Sequence, residues 1–172
     1  DLMFTESIFG DFTAIAPMII LIIAALLAPA IQAVGKNKTI TWAITLILVI
    51  VSNIINIDLL TGGYNGTTMD LYIYDAFTGA MVLLFQVVLF LAVLVSNASI
   101  ETTSRHVGEY YALITGATVG MMFVCGSADL LTIFVGVELT SISSYALVTM
   151  KRNDARAAEA GVKYAIIGGL ST

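Results

Sequence analysis

Five long apolar runs, joined by short polar connections, constrain this chain more than any other feature. They read as Phe12 to Val34, Thr39 to Leu60, Ala76 to Asn97, Val107 to Gly126 and Asp129 to Met150, with a sixth, incomplete run from Ala155. A hydrocarbon core of roughly 30 Å needs about 20 apolar helical residues per crossing, so each complete run is long enough to span. Single spans can satisfy their backbone hydrogen bonds in lipid only as helices, and the alternation of a barrel strand is absent. The expected fold is an all-α, polytopic transmembrane helix bundle. Composition agrees: 59% hydrophobic and 11% charged residues, with a mean hydropathy of +0.98, cannot be kept off the surface of a water-soluble domain.

The same composition excludes several functions. One cysteine, Cys125, and one histidine, His106, leave no basis for a disulfide or a metal cluster, so redox cofactors are expected elsewhere and none in this chain. A formal charge of -5 offers no basic patch for nucleic acid. The first run is too long for a signal-peptide core and lacks a basic segment before it, which predicts a retained span. The opening at Asp1 and the close at Gly168-Gly169-Leu170-Ser171-Thr172, inside an apolar run, lead us to expect an amino-terminal portion of a longer polypeptide.

Lys36 and Lys38 follow the first span, Arg105 the third, and Lys151, Arg152 and Arg156 the fifth, so these basic residues share one side. The positive-inside rule then puts the amino terminus, with Asp1, Glu6 and Asp11, and the loop Thr61 to Asp75 outside. In that loop, Tyr64-Asn65-Gly66-Thr67 carries an Asn-Gly turn signal and Leu71-Tyr72-Ile73-Tyr74 is β-rich, which together predict a small hairpin. The tyrosines also suit an interfacial aromatic belt. Pro17 falls in the first turns of its span, whereas Pro29 lies inside and should bend it. Gly116 and Gly120, and Ala157, Gly161, Ala165 and Gly169, recur at four-residue spacing and predict close helix contacts.

Glu138 lies nine residues beyond Asp129, roughly 13 Å along the helix, which brings it close to mid-membrane. An ionised carboxylate there costs about 3 kcal/mol on insertion scales, so it is expected to have a partner or a job. The plain alternative is a protonated acid bonded to a neighbouring helix. Ser141 and Tyr145 share its helical face, with Ser144 nearby, and such hydroxyls either hold water for proton relay or bond to backbone.

Lys163 lies eight residues into the sixth run, roughly 12 Å deep. The Lys151-Arg152-Asn153-Asp154 connection, with Asp154 a candidate helix cap, makes spans five and six antiparallel neighbours. Measured from opposite membrane faces, Glu138 and Lys163 come within about 5 Å in depth, leaving a direct or water-bridged pair open. Lys163 could instead snorkel to the surface. Glu159, one turn earlier, would help hold it or be a solvated helix-end acid. Asp58 and Glu109 read as interface residues, Gln86, Asn53 and Asn56 as helix bridges, His106 as a solvent histidine and Cys125 as a small hydrophobe.

Four segments carry a family resemblance: Glu109-Tyr110-Tyr111-Ala112-Leu113, Gly120-Met121-Met122, Asp129-Leu130-Leu131-Thr132-Ile133-Phe134-Val135-Gly136-Val137-Glu138-Leu139, and Glu159-Ala160-Gly161-Val162-Lys163-Tyr164. From about Glu109 to Thr172 the chain resembles the antiporter-like subunit N of respiratory complex I and its archaeal deazaflavin-dependent relatives. The resemblance implies a fourteen-helix bundle with inverted repeats and buried acids and lysines. It would make Glu138 the glutamate of helix five and Lys163 the lysine of helix six, with residues 1–106 forming three leading helices and 107–172 the start of the first repeat. The helix-seven lysine that usually pairs with that glutamate lies past Thr172.

The function expected on this basis is proton translocation in an inner (plasma) membrane, driven by electron transfer to quinone or methanophenazine. The expected pathway residues are Glu138, Lys163, Ser141, Ser144, Tyr145 and Glu159, and the expected partners are other membrane subunits, lipid and protons. A subunit of a multi-subunit sodium/proton antiporter or membrane-bound hydrogenase is the nearest rival. A structural membrane scaffold with an inert ion pair is the other. No His-Glu-x-x-His or Gly-x-Ser-x-Gly run suggests an intramembrane hydrolase.

Overall fold

The computed structural model describes residues 12–35, 37–99, 106–150 and 155–171. Among the described residues six long helices follow one another: α1 Ala16–Gly35, α2 Lys38–Thr61, α3 Ala76–Ser99, α4 Val107–Gly126, α5 Leu130–Thr149 and α6 Ala155–Ser171. Between α2 and α3 lies a hairpin of β1 Gly66–Thr68 and β2 Tyr72–Tyr74. The first five helices are each long and apolar enough to cross a membrane, and their bounds fall within a few residues of the runs read from hydropathy.

α1 begins at Ala16 rather than Phe12 because Pro17 supplies no N–H, and residues 14–15 form a turn between two helical stretches. The helix then runs on through Pro29. Asn37 caps α2 through a bond from the Thr39 N–H.

The buried face of α2 is polar. Thr41, Thr45, Ser52 and Asn56 line it with Val49, at spacings of three and four residues. Most of these groups are tied down: Thr45 donates to the Thr41 carbonyl and Ser52 to the Pro17 carbonyl, while Asn56 donates to the Gly79 carbonyl. Gln86 of α3 donates to Ser52 at 2.7 Å, so Gln86 and Asn56 bridge helices as expected. Asn53 does not; its amide returns to the Val49 carbonyl of its own helix.

The hairpin forms, but its turn is not at Asn65-Gly66. Gly66 pairs with Tyr74 and Thr68 with Tyr72, which puts the reversal at Met69 and Asp70. Both residues have positive φ, 52° and 58°, and the Leu71 N–H closes the turn onto the Thr68 carbonyl. An Asp at a left-handed position is tolerated, whereas Met there is unusual, so the sequence signal pointed to the wrong pair. The hairpin packs onto the bundle's end: the Tyr74 hydroxyl donates to Asn56 Oδ1 at 2.7 Å, and the Ala128 N–H bonds to the Leu71 carbonyl. Tyr72 lies over Gly126, where a methyl group would run into its ring. Burial raises the Tyr74 phenol to about 12 and pushes Tyr72 higher still.

Candidate functional site

α5 starts at the hairpin end of the bundle, where the Asp129 side chain accepts the Thr132 N–H at 2.6 Å and caps the helix. That backbone bond, helped by the Thr132 side chain, holds the Asp129 carboxyl below its ordinary range. One face of α5 lies against α4 through glycine. A methyl group on Gly120 would stand 2.7 Å from the Gly136 carbonyl, and one on Gly136 would stand 2.8 Å from the Gly120 carbonyl. Thr140 sits in the same seam and donates to the Gly136 carbonyl at 2.9 Å. The Gly116 and Gly120 repeat therefore acts as expected, with Gly116 facing Ser143 more loosely at 3.4 Å.

Glu138, two residues from both Gly136 and Thr140, is turned about 160° to 200° away from that seam. Tyr145, seven residues on, shares its face and touches α6: the Tyr145 and Tyr164 rings meet edge to face with centroids 4.8 Å apart. Gly168 lies under the Tyr145 ring, and Gly161 lies against Thr149. Gly169, expected in this seam, has open space beside it, and Gly168 takes its place. Glu138 thus projects from the α6 side of α5, half-buried, and makes no hydrogen bond or ion pair among the described residues.

The structure does not join Glu138 to Lys163 directly. Lys163 Nζ bonds to Glu159 Oε1 at 2.5 Å, one turn away on α6, with side chains 68% and 64% exposed. The Gly161–Thr149 contact sets the height. At about 1.5 Å per residue, Lys163 lies ~3 Å beyond that contact and Glu138 ~16 Å, a separation of about 13 Å along the bundle. The expected 5 Å assumed that α6 begins level with the end of α5. Because Gly161 rather than Ala155 meets Thr149, α6 starts about 9 Å lower and Lys163 is correspondingly shallower.

The hydroxyls fall into two sets. Ser144 donates to the Thr140 carbonyl at 2.8 Å and is turned into its own helix. Ser141 lines a cleft of about 240 Å³ with Phe85, Met121, Val124, Cys125, Val137 and Thr140. Cys125 is a half-buried wall of this cleft, as its apolar reading expected. Ser141 and Tyr145 thus lie at intermediate heights between Glu138 and Lys163. Tyr164 and Gly136 emerge as positioning residues that site reasoning did not single out; Gly136, four residues before Thr140 and facing Gly120, was the available signal.

At the opposite end, His106 is not a free solvent histidine: its Nδ1 lies 3.1 Å from Glu109 Oε2, an ion pair when the imidazole is protonated. Asp58 is exposed near the end of α2. The connection Lys151 to Asp154, with its candidate cap, lies outside the described residues, as do Lys36 and Arg105. No group of three or more metal-ligating side chains occurs among the described residues.

These features define an all-α, polytopic membrane bundle with the fold of antiporter-like subunits. Residues 127–172, which hold α5 and α6, match the family described as NADH:quinone oxidoreductase/Mrp antiporter, TM. More particularly, the chain is similar to NADH-quinone oxidoreductase subunit N of Desulfitobacterium hafniense, 37% identical over 115 residues, 67% of this chain and 23% of that one. NAD(P)H-quinone oxidoreductase subunit 2 from the organellar chromatophore of Paulinella chromatophora is 43% identical over 77 residues, covering 45% of this chain and 15% of that protein. Among solved structures, a chain of the membrane-bound sulfane sulfur reductase, an archaeal respiratory membrane complex, shares the fold with a TM-score of 0.76 and 21% identity, over 93% of this chain and 34% of that one. The chain spans about a quarter of the length of the subunit N relatives it matches, such as 23% of the first.

Proposed function

We propose that this chain forms part of a proton-translocating membrane subunit of a complex I-type dehydrogenase, with no redox chemistry of its own. The observation that carries the reading is Glu138: a carboxyl group deep in a membrane-spanning helix, facing α6, with no partner among the described residues. A charged group left so in lipid is expensive, which favours a functional acid over a structural one. The names of the subunit N relatives support the redox-driven setting, and other membrane subunits are the partners it implies.

The geometry favours a stepped route over a direct pair. Tyr145 carries the face of Glu138 down to the α5–α6 contact, Ser141 stands beside it in the α3–α4–α5 cleft, and Lys163, two residues from the Gly161 that packs on Thr149, is turned about 160° away from α5 and held by Glu159. A proton moving between the two ends would pass by way of hydrated hydroxyls, and Ser144 serves to shape α5 instead of carrying the proton. We further infer a plasma-membrane location with the hairpin end outside, on the distribution of basic residues. The first three helices, residues 1–106, form one unit and residues 107–172 open an antiporter-like repeat.

Proton uptake by membrane vesicles carrying the full-length subunit in its complex tests the reading. Glu138→Gln and Lys163→Ala should each depress redox-driven uptake at normal subunit levels; unchanged uptake in both would remove the mechanism. The matched family also includes Mrp antiporters, which gives a sodium/proton antiporter subunit standing as a second reading. Sodium-dependent transport without a redox driver would select it. Full activity after an apolar double replacement at both positions would instead favour a scaffold.

A further inference from the structure

Gln86 is wholly buried in α3, at 0% exposure, and its amide is only half used. Nε2 donates to Ser52 Oγ at 2.7 Å, while Oε1 has no hydrogen-bond partner among the described residues. Reversing the amide does not help. Ser52 has one proton, which goes to the Pro17 carbonyl at 2.7 Å, so a reversed Gln86 would take that proton away and leave both N–H donors unpaired. A buried carbonyl without a donor costs roughly 1–3 kcal/mol, a penalty that native structures relieve with a protein group or an ordered water.

The missing donor has few possible sources. Full burial within this chain shuts out lipid and neighbouring subunits. Thr115, a buried hydroxyl also without a hydrogen-bond partner among the described residues, can turn back to its own helix as Thr45, Thr118 and Ser144 do, but a glutamine amide on a different helix from its partner has no such recourse. The surroundings are polar on one side: Ser52, the Pro17 carbonyl at the turn that opens α1, and Asn56 one helical turn from Ser52. Water needs two to four such partners to be held inside a protein.

We propose that Gln86 Oε1 binds a structural water molecule in the seam between α1, α2 and α3. This water completes a polar column that starts at Tyr74 in the hairpin, passes Asn56 and ends at the Ser52–Gln86 pair. It locks the three helices in register and is independent of the proton reading for α5 and α6.

A cryo-electron-microscopy map of the complete assembly, at a resolution that shows buried waters elsewhere, tests this. The expected result is a water peak within about 3.2 Å of Gln86 Oε1, retained in Glu138→Gln and lost in Gln86→Leu. A map that shows other internal waters but none at Gln86, or that shows Oε1 accepting from a protein donor, would overturn it. The unsubstituted protein alone decides the matter should Gln86→Leu fail to assemble.

Discussion

On α2, buried polar side chains end in named partners: Thr41 reaches Gln32, Thr45 the Thr41 carbonyl, Ser52 the Pro17 carbonyl, and Asn56 both Gly79 and Tyr74. On α5, Glu138 has none among the described residues, and on α6 Lys163 holds only Glu159. Thr140 and Ser144 of α5 are locked as the α2 groups are, so the contrast lies in Glu138, which the fold leaves without a partner among the described residues. Neutral polar groups can afford to be locked, because a satisfied hydrogen bond removes most of their cost. A carboxyl group without such a lock keeps the capacity to exchange protons.

That contrast predicts opposite mutational signatures. Glu138→Gln should cut redox-driven proton uptake by about a hundred-fold, the low side of what a positioned proton-transfer group supplies, with subunit abundance unchanged on an immunoblot. Equal loss of abundance and transport would erase the distinction between the regions. Gly120→Val should act the other way, lowering the yield of folded protein by overpacking worth about 1–3 kcal/mol, because the Gly136 carbonyl and Thr140 cannot retreat without parting α4 from α5. Detergent-extracted protein measured by thermal unfolding would show it.

Smaller effects sharpen the locked side. Tyr74→Phe removes the donor to buried Asn56 Oδ1 and should lower stability by about 1–2 kcal/mol with transport per folded subunit intact. Because burial raises the Tyr74 phenol from 10.0 to about 12 in the folded protein, its contribution is complete below pH 10 and is lost as pH rises through 12. A pH series of melting temperatures should fall across that window, and less steeply in Tyr74→Phe. The smallest effect belongs to Asp75, which caps α3 through the Thr78 N–H at 2.7 Å and is held below its usual value of 3.8 by that bond. Its stabilisation is present above that value and lost as pH falls below it, so Asp75→Asn should flatten the acid limb of the same series.

Much of this was legible beforehand because lipid is a simple solvent. The length of apolar runs set all five complete spans, and Val107–Gly126 came out with identical limits in the structure. Packing glycines were legible wherever four-residue spacing faced a partner, as at Gly120 and Gly161. What sequence spacing could not supply was relative height. The slide of α6 along α5 depends on Tyr145 fitting over Gly168 and Thr149 over Gly161, side-chain matches between helices that no single-helix periodicity reports. Likewise the hairpin turn moved to Met69 and Asp70 because Tyr72 and Tyr74 both had to reach the bundle, which fixed the register against the local Asn-Gly preference.

The protonation of Glu138 itself can be read by infrared difference spectroscopy on the intact complex, comparing resting and turning-over states. A carboxyl C=O band that changes on energisation and disappears in Glu138→Gln is the predicted result. An unaltered difference spectrum in that variant, with turnover preserved, would mean that the carboxyl group keeps one protonation state throughout and carries no proton.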